Sequence, residues 1–159
     1  MQTNTFGNII LDGNLSDWTV NDRLDFLPGT GQVGYEVYGK LIGDNYLFAI
    51  TSDTTAIGAG TTVWLNSDRD ASTGYQVFGS TVGAEYNVNF FTDNQPYLYT
   101  GAAGQNFVSG ALNHAYSNNQ QIIEFAVPAT QIGNTTEAID VNIDVNDNIF
   151  LPGNFGAQN

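Results

Sequence analysis

The sequence predicts an all-β antiparallel protein of about ten strands with one or two short helical turns, a sandwich or a barrel by its strand pattern, and of these we expect the two-sheet β-sandwich, jelly-roll-like. Three observations predict it. Short runs of alternating apolar and polar residues recur, broken by turn formers about every 8–12 positions. Phe, Tyr and Trp make up 13% of the chain and mix with 18 glycines and many Asn and Thr, a composition of strands and tight turns. No helical period runs beyond about two turns, so a dinucleotide crevice between strands and helices is not expected.

The elements follow in order. Residues 8–11 read as a short strand leading into the turn Asp12-Gly13-Asn14. Residues 15–20 read as a single helical turn, with Ser16 and Asp17 to cap it. Residues 22–26 follow, then a loop at 28–34. Residues 35–42 and 46–52 flank Gly43-Asp44-Asn45 and read as a hairpin. On the strand 61–66, Val63 and Leu65 take the core side while Thr62, Trp64 and Asn66 share the other. On the strand 84–92, Tyr86, Val88 and Phe90 point one way and Glu85, Asn87 and Asn89 the other. Residues 97–100, 111–117 and 121–128 are further strands, and 129–132 a second helical turn before Gly133. The run 139–146 alternates most clearly, with Ile139, Val141, Ile143 and Val145 on one face and Asp140, Asn142, Asp144 and Asn146 on the other. That polar row is either a wet sheet face or a place for a second cation.

A chain of 159 residues is one domain on the length prior and buries a real core. We expect a single module over residues 1–159, either entire or cut from, or repeated in, a larger secreted protein. Residues 1–20 carry neither a basic segment nor an apolar one, so no signal peptide is expected there. No apolar run approaches the ~20 residues of a membrane span. With 16 acidic and three basic side chains (Arg23, Lys40 and Arg69), the net charge is −13. This argues against nucleic acid, whose phosphates need Lys and Arg, and against anionic membranes. The chain has no cysteine, so disulfides and thiol chemistry are excluded. A cysteine-free, lysine-poor, acidic chain suits a bacterial protein that folds outside the cell, so the expected location is extracellular or at the cell surface.

Residues 66–75 read Asn-Ser-Asp-Arg-Asp-Ala-Ser-Thr-Gly-Tyr. Oxygen-bearing side chains fall at Asn66, Asp68 and Asp70, every second residue, and Thr73-Gly74 then turns the chain. Hard cations such as Ca²⁺ take about six to eight oxygens at roughly 2.3–2.6 Å, and such a loop supplies them. The rival is a plain Asx turn, with Arg69 neutralising its neighbours. We expect Asn66, Asp68, Asp70 and the Thr73 oxygens to hold Ca²⁺. Glu85 joins them if its strand pairs beside residues 61–66.

Three segments together carry a resemblance: I-L-D-G-N-L-S-D-W at 10–18, W-L-N-S-D-R-D-A-S-T-G-Y with G-A-E-Y at 64–75 and 83–86, and I-E-F-A-V-P-A-T-Q-I-G at 123–133. In that order they resemble the family 9-like carbohydrate-binding modules and the wider DOMON-like β-sandwich group of secreted bacterial proteins. The resemblance runs from residue 9 to about residue 152. It implies a two-sheet sandwich without catalytic activity, and a structural cation at Asp68 and Asp70 with Glu85 as partner. Haem-binding relatives use Met and His ligands, and here these are Met1 and His114 alone, so no haem is expected.

The expected ligand is a polysaccharide or other glycan, with self-association as the alternative. An exposed Trp stacks on the C–H face of a sugar. Trp64 is either such a platform, extended by Tyr35, Tyr75, Tyr97 and Tyr99, or packed beneath a loop. Trp18 lies on an apolar stripe with Leu15 and is expected to be buried, with Asp12 and Asp17 beside it as Asx turn and cap or as a second cation site. His114 has no G-x-S-x-G segment to serve, and a small sandwich rarely forms the cleft that two glycosidase carboxyls need. We therefore expect no enzyme. The alternative function is a structural or adhesive subunit of a surface array or filament, assembling through strand or terminus exchange.

Overall fold

A computed structural model describes residues 4–24, 34–79, 82–133 and 136–151. Twelve strands lie within them: β1 (Thr5–Phe6), β2 (Ile9–Ile10), β3 (Tyr35–Ile42), β4 (Asn45–Ser52), β5 (Thr62–Asn66), β6 (Tyr86–Phe90), β7 (Pro96–Thr100), β8 (Asn106–Gly110), β9 (His114–Tyr116), β10 (Ile122–Pro128), β11 (Asp140–Val145) and β12 (Ile149–Leu151). The expected strands are present with ends trimmed or extended by a few residues. Three short ones, β1, β8 and β12, were not foreseen. Of the segment 22–26, Asp22 closes a 3₁₀ turn and Arg23 bridges Tyr38; its residues 25 and 26, and the loop expected at 28–34 up to residue 33, fall outside the described residues.

All strand pairs are antiparallel. One sheet has the order β3-β4-β10-β9, a second the order β12-β11-β5-β6-β7-β8, and β1-β2 form a small hairpin. The fold is therefore an all-β sandwich, as the alternation requires. Its core lies between the two large sheets. Phe48, Ile50, Ile123, Phe125 and Val127 come from one sheet, and Val63, Leu65, Val88, Phe90, Leu98 and Ile143 from the other. Phe125 joins them, with Phe48 at 5.3 Å on its own sheet and Phe90 at 5.6 Å across the gap. Each such side chain contributes about 1.5–3 kcal/mol on burial.

The helical turns are all 3₁₀: Leu15–Asp17, Val20–Asp22, Val77–Gly79 and Ala129–Gln131. The first is not capped by Ser16 or Asp17. Its N-cap is Asn14, whose side chain accepts from Ser16 N at 2.9 Å. Asp17 is turned instead to the Ile10 amide, 2.9 Å away.

Both sheets are covered on their outer faces as well. The N-terminal segment lays Ile9, Leu11 and Trp18 on Leu47, Ala49 and Ala126 of the four-stranded sheet. The loop between β5 and β6 lays Val77, Val82 and Tyr75 over Trp64 of the six-stranded sheet. The polar row of β11 is not a wet face throughout. Asp140 is exposed, but Asp144 is only 2% exposed. Burial, and then the neighbouring Asp147, push the Asp144 carboxyl up to about 7.

Candidate functional site

Strand pairing builds the loop that follows β5. Glu85 N donates to Leu65 O at 3.1 Å, and Leu65 pairs with Tyr86. Glu85 is thereby set beside the end of β5, as pairing of 61–66 with 84–92 requires. A second contact closes the loop on itself, with Tyr75 and Ala84 exchanging backbone hydrogen bonds of 2.7 and 3.0 Å. Gly83 is needed where the two limbs cross. Its φ is +67°, and a Cβ there would lie 2.7 Å from Ala71 Cα and 2.8 Å from the carbonyls of Asp70 and Thr73.

Four oxygens converge inside this loop. Thr73 Oγ1 lies 2.7 Å from Asp68 Oδ2, 3.0 Å from the Asp70 carbonyl and 3.1 Å from Glu85 Oε2. A hydroxyl has one hydrogen, so it serves one of these three acceptors at a time. Glu85 Oε1 accepts from Ser67 N at 2.8 Å, which fixes the carboxylate while Oε2 faces the cluster. The set comprises two carboxylates, a carbonyl and a hydroxyl, all hard oxygen donors of the kind Ca²⁺ takes. Among the described residues no three acidic or histidine side chains gather as a metal cluster. A cation here would rest on a mixed set completed by water.

Two expected ligands stand differently. The Asp70 carboxylate accepts from Ser72 Oγ at 2.6 Å and Ser72 N at 2.9 Å. Those bonds hold its carboxyl below the usual carboxylate range, the Ser72 hydroxyl first. Asp70 meets the Thr73 hydroxyl through its carbonyl, and its amide donates to Asp68 Oδ1 at 2.8 Å. Asn66 is 2% exposed, its amide donating to Val82 O at 3.2 Å, and none of its described hydrogen bonds joins it to Asp68, Thr73 or Glu85. Arg69, the rival neutraliser, bonds Asp140 at 3.2 Å instead.

Trp64 stands on the outer face as its register requires, but the loop covers it to 9% exposure. Tyr75 packs against its ring at 5.5 Å and Phe78 at 6.4 Å, so Trp64 and Tyr75, both expected in a sugar platform, serve the loop's own packing. Tyr35 is placed differently. It lines an open groove of about 570 Å³ with Arg23, Glu36, Asp53, Asn119 and Gln121. Tyr97 and Tyr99 share the outer face of β7, and Phe91 packs between them.

The sequence reading missed Glu124, which is fully buried. Trp18 Nε1 donates to its Oε2 at 2.8 Å, and the amides of Asp12 and Gly13 donate to its Oε1 at 3.0 and 2.7 Å. Burial raises its carboxyl above the ordinary value against the pull of these three donors. The signal was an acid inside the apolar run Ile122–Pro128, legible only once the strand's outer face is known to be covered. Asp12 also accepts from Asn14 N at 3.0 Å, so Asp12 and Asp17 serve backbone amides. His114 Nδ1 lies 2.8 Å from Leu112 O.

No protein-family model, curated protein or solved structure matches this chain.

Proposed function

We propose that this chain is a non-catalytic, extracellular module, stabilised by Ca²⁺ and binding carbohydrate. The observation that carries the reading is the oxygen cluster around Thr73, where one hydroxyl hydrogen faces three acceptors from Asp68, Asp70 and Glu85. Two carboxylates on one hydroxyl repel each other, and a divalent cation offsets that repulsion while tying residues 68–73 to β6. The three basic side chains are engaged elsewhere: Arg23 with Glu36, Lys40 with Asp22 and Arg69 with Asp140. None of these ion pairs neutralises the cluster. For the ligand, the groove at Tyr35 supports a glycan better than Trp64 does. It joins one aromatic ring to the amides of Asn119 and Gln121 and the carboxylates of Glu36 and Asp53, a set that stacks on a sugar and takes its hydroxyls.

The two halves are tested separately. A thermal melt in Ca²⁺ is expected to rise above the melt in excess chelator, because a ligand of the folded state stabilises it. Glu85→Gln is expected to abolish that difference. A midpoint unmoved by chelator would remove the cation. Glycan-array binding lost in Tyr35→Ala supports the groove, and binding unchanged in that variant refutes it.

A further inference from the structure

We propose that the charge-free wall formed by β7, β8 and β9 docks against a second copy of this chain, with edge strand β8 at its centre. Residues 94–123 contain no Asp, Glu, Lys or Arg, in a chain with 16 acidic and three basic side chains. That run supplies all three strands. β8 ends the six-stranded sheet and β9 ends the four-stranded one. Leu112 N donates to Pro96 O at 2.9 Å and Tyr116 Oη to Asn94 O at 2.8 Å, which keeps the two edges on the same side of the sandwich.

Proteins blunt sheet edges with charge, proline or a covering segment, because an open edge templates pairing with another chain. The β3 edge follows this practice. It carries Glu36 and Lys40, and Arg23 and Leu24 run along it, with Leu24 N donating to Val37 O at 2.8 Å. The rim of β9 is met by the turn at Gly13, where a Cβ would lie 2.4 Å from Tyr116 O. β8 carries neither charge nor proline, and the turn at Gln131 meets it through a side chain, Ser109 Oγ donating to the Gln131 amide oxygen, and not along its backbone. Among the described residues, no backbone hydrogen bond outside its ladder with β7 reaches it. A bulge between Leu98 and Tyr99 in that ladder adds twist but no charge.

The side chains point to the same use. Phe107 on β8 is 60% exposed and lies 5.8 Å from Tyr99. Phe91, 41% exposed, continues the row to its margin, where Tyr97 Oη donates to a carboxylate that meets the row, Asp93, at 2.5 Å. Adjacent rings tilt by 52° to 75°. They make a ridged surface that interdigitates with other rings rather than a coplanar shelf for a polysaccharide. Charge selects the partner. A copy of this chain carries the same net charge of −13, so approach by an acidic face costs the most Coulomb energy and approach through this wall the least. A cationic partner would be drawn to the acidic remainder instead. Interface centres are depleted of charge and enriched in Tyr and Phe, and a two-fold contact sets the same patch on both copies. The proposal is independent of the cation and of the groove at Tyr35.

Sedimentation velocity over a concentration series, with amide exchange on the same samples, tests it. A monomer–dimer equilibrium is expected that tightens with added salt, since screening removes the remaining repulsion. Protection of the amides of 106–110 rises with concentration. Phe107→Asp and Asn106→Asp each place a charge on an exposed position and weaken the dimer roughly tenfold or more. Val20→Asp, at a position 77% exposed on the N-terminal segment, leaves it unchanged. A monomer at every concentration in low and high salt overturns the proposal, as does a dimer indifferent to both β8 variants. Glycan binding lost in Phe107→Asp, in a chain that stays monomeric, overturns it in favour of carbohydrate. If the variants misfold, exchange on the unaltered chain decides, and rates at 106–110 that ignore concentration refute the contact.

Discussion

Replacing Glu124 by Gln tests whether one buried carboxylate fastens the N-terminal segment to the four-stranded sheet. Three donors aim at it: the indole of Trp18 at 2.8 Å and the amides of Asp12 and Gly13 at 3.0 and 2.7 Å. A carboxylate presents two acceptor oxygens to them, whereas a carboxamide presents one oxygen and an NH₂ group. If the Gln oxygen serves the two amides, its NH₂ meets the Trp18 N–H donor to donor. The flipped orientation orphans two amides instead. The cheaper arrangement leaves one buried N–H unsatisfied, at about 1–3 kcal/mol. Loss of the charge returns part of the desolvation that raises the Glu124 pKa, so we expect a net loss of about 1–2 kcal/mol. For a chain of this length that is a fall in Tm of roughly 2–8 °C. Trp18→Phe removes the donor and some packing, and costs about 2–3 kcal/mol. In the double variant the mismatch exists once, so the two costs add to about 1 kcal/mol less than their sum. Urea denaturation of the four proteins measures this coupling. Glu124→Gln as stable as the parent, or two single costs that simply add, would refute the clamp.

Two further outcomes are expected. Asp144 has its folded pKa raised from 3.8 to about 7, so the folded state holds a proton that the unfolded chain releases; stability from this group is full below about pH 4 and is lost as pH rises to about 7. Asp144→Asn removes that slope in urea melts taken across the range, and an unchanged slope would assign it to other groups. Trp64→Ala empties a site under Val77, Val82 and Tyr75 and is expected to cost about 3–5 kcal/mol in stability; a variant that keeps its melting point would show the ring to be exposed and free to meet a ligand.

The sandwich was legible because strand burial has period two, and the runs at 35–52 and 139–146 carry that period in the chain itself. β8 was not legible. Asn106–Gly110 is five residues with one strong hydrophobe per face, and a strand that short is defined by its partner rather than by its own pattern. Asp144 and Glu124 were misread for a related reason. Alternation gives the face a residue occupies, and it does not say whether a distant segment later covers that face. Glu124 alternates with Ile123 and Phe125 as a surface acid would, and becomes buried only because residues 9–18 fold over it. Of the metal-ligand set, Glu85 could be placed because strand pairing brought it to β5, whereas the hold of Ser72 on the Asp70 carboxylate is a local competition that spacing does not reveal.

Covering both outer faces has a consequence for where this protein can meet anything else. Each of its two tryptophans is closed in by the chain itself, Trp18 carried by the N-terminal segment and pinned against the outer face of the four-stranded sheet, Trp64 standing on the outer face of the six-stranded sheet beneath the β5–β6 loop. The residues best suited to stacking on a ligand are thereby spent on closing the module, and burial of each indole must exceed the entropy of ordering the segment it holds down. What stays open is unlike in kind. The groove at Tyr35 is polar and lined by Arg23, Glu36 and Asp53, while the β7–β8–β9 wall is aromatic, its strands carry no charge, and Asp93 meets it at the margin through Tyr97. Two copies of net charge −13 repel in any orientation, least where the second surfaces meet, and salt screens what repulsion is left there. Salt should therefore separate them: binding of a neutral glycan at Tyr35 changes little with ionic strength, and contact between copies through β8 strengthens.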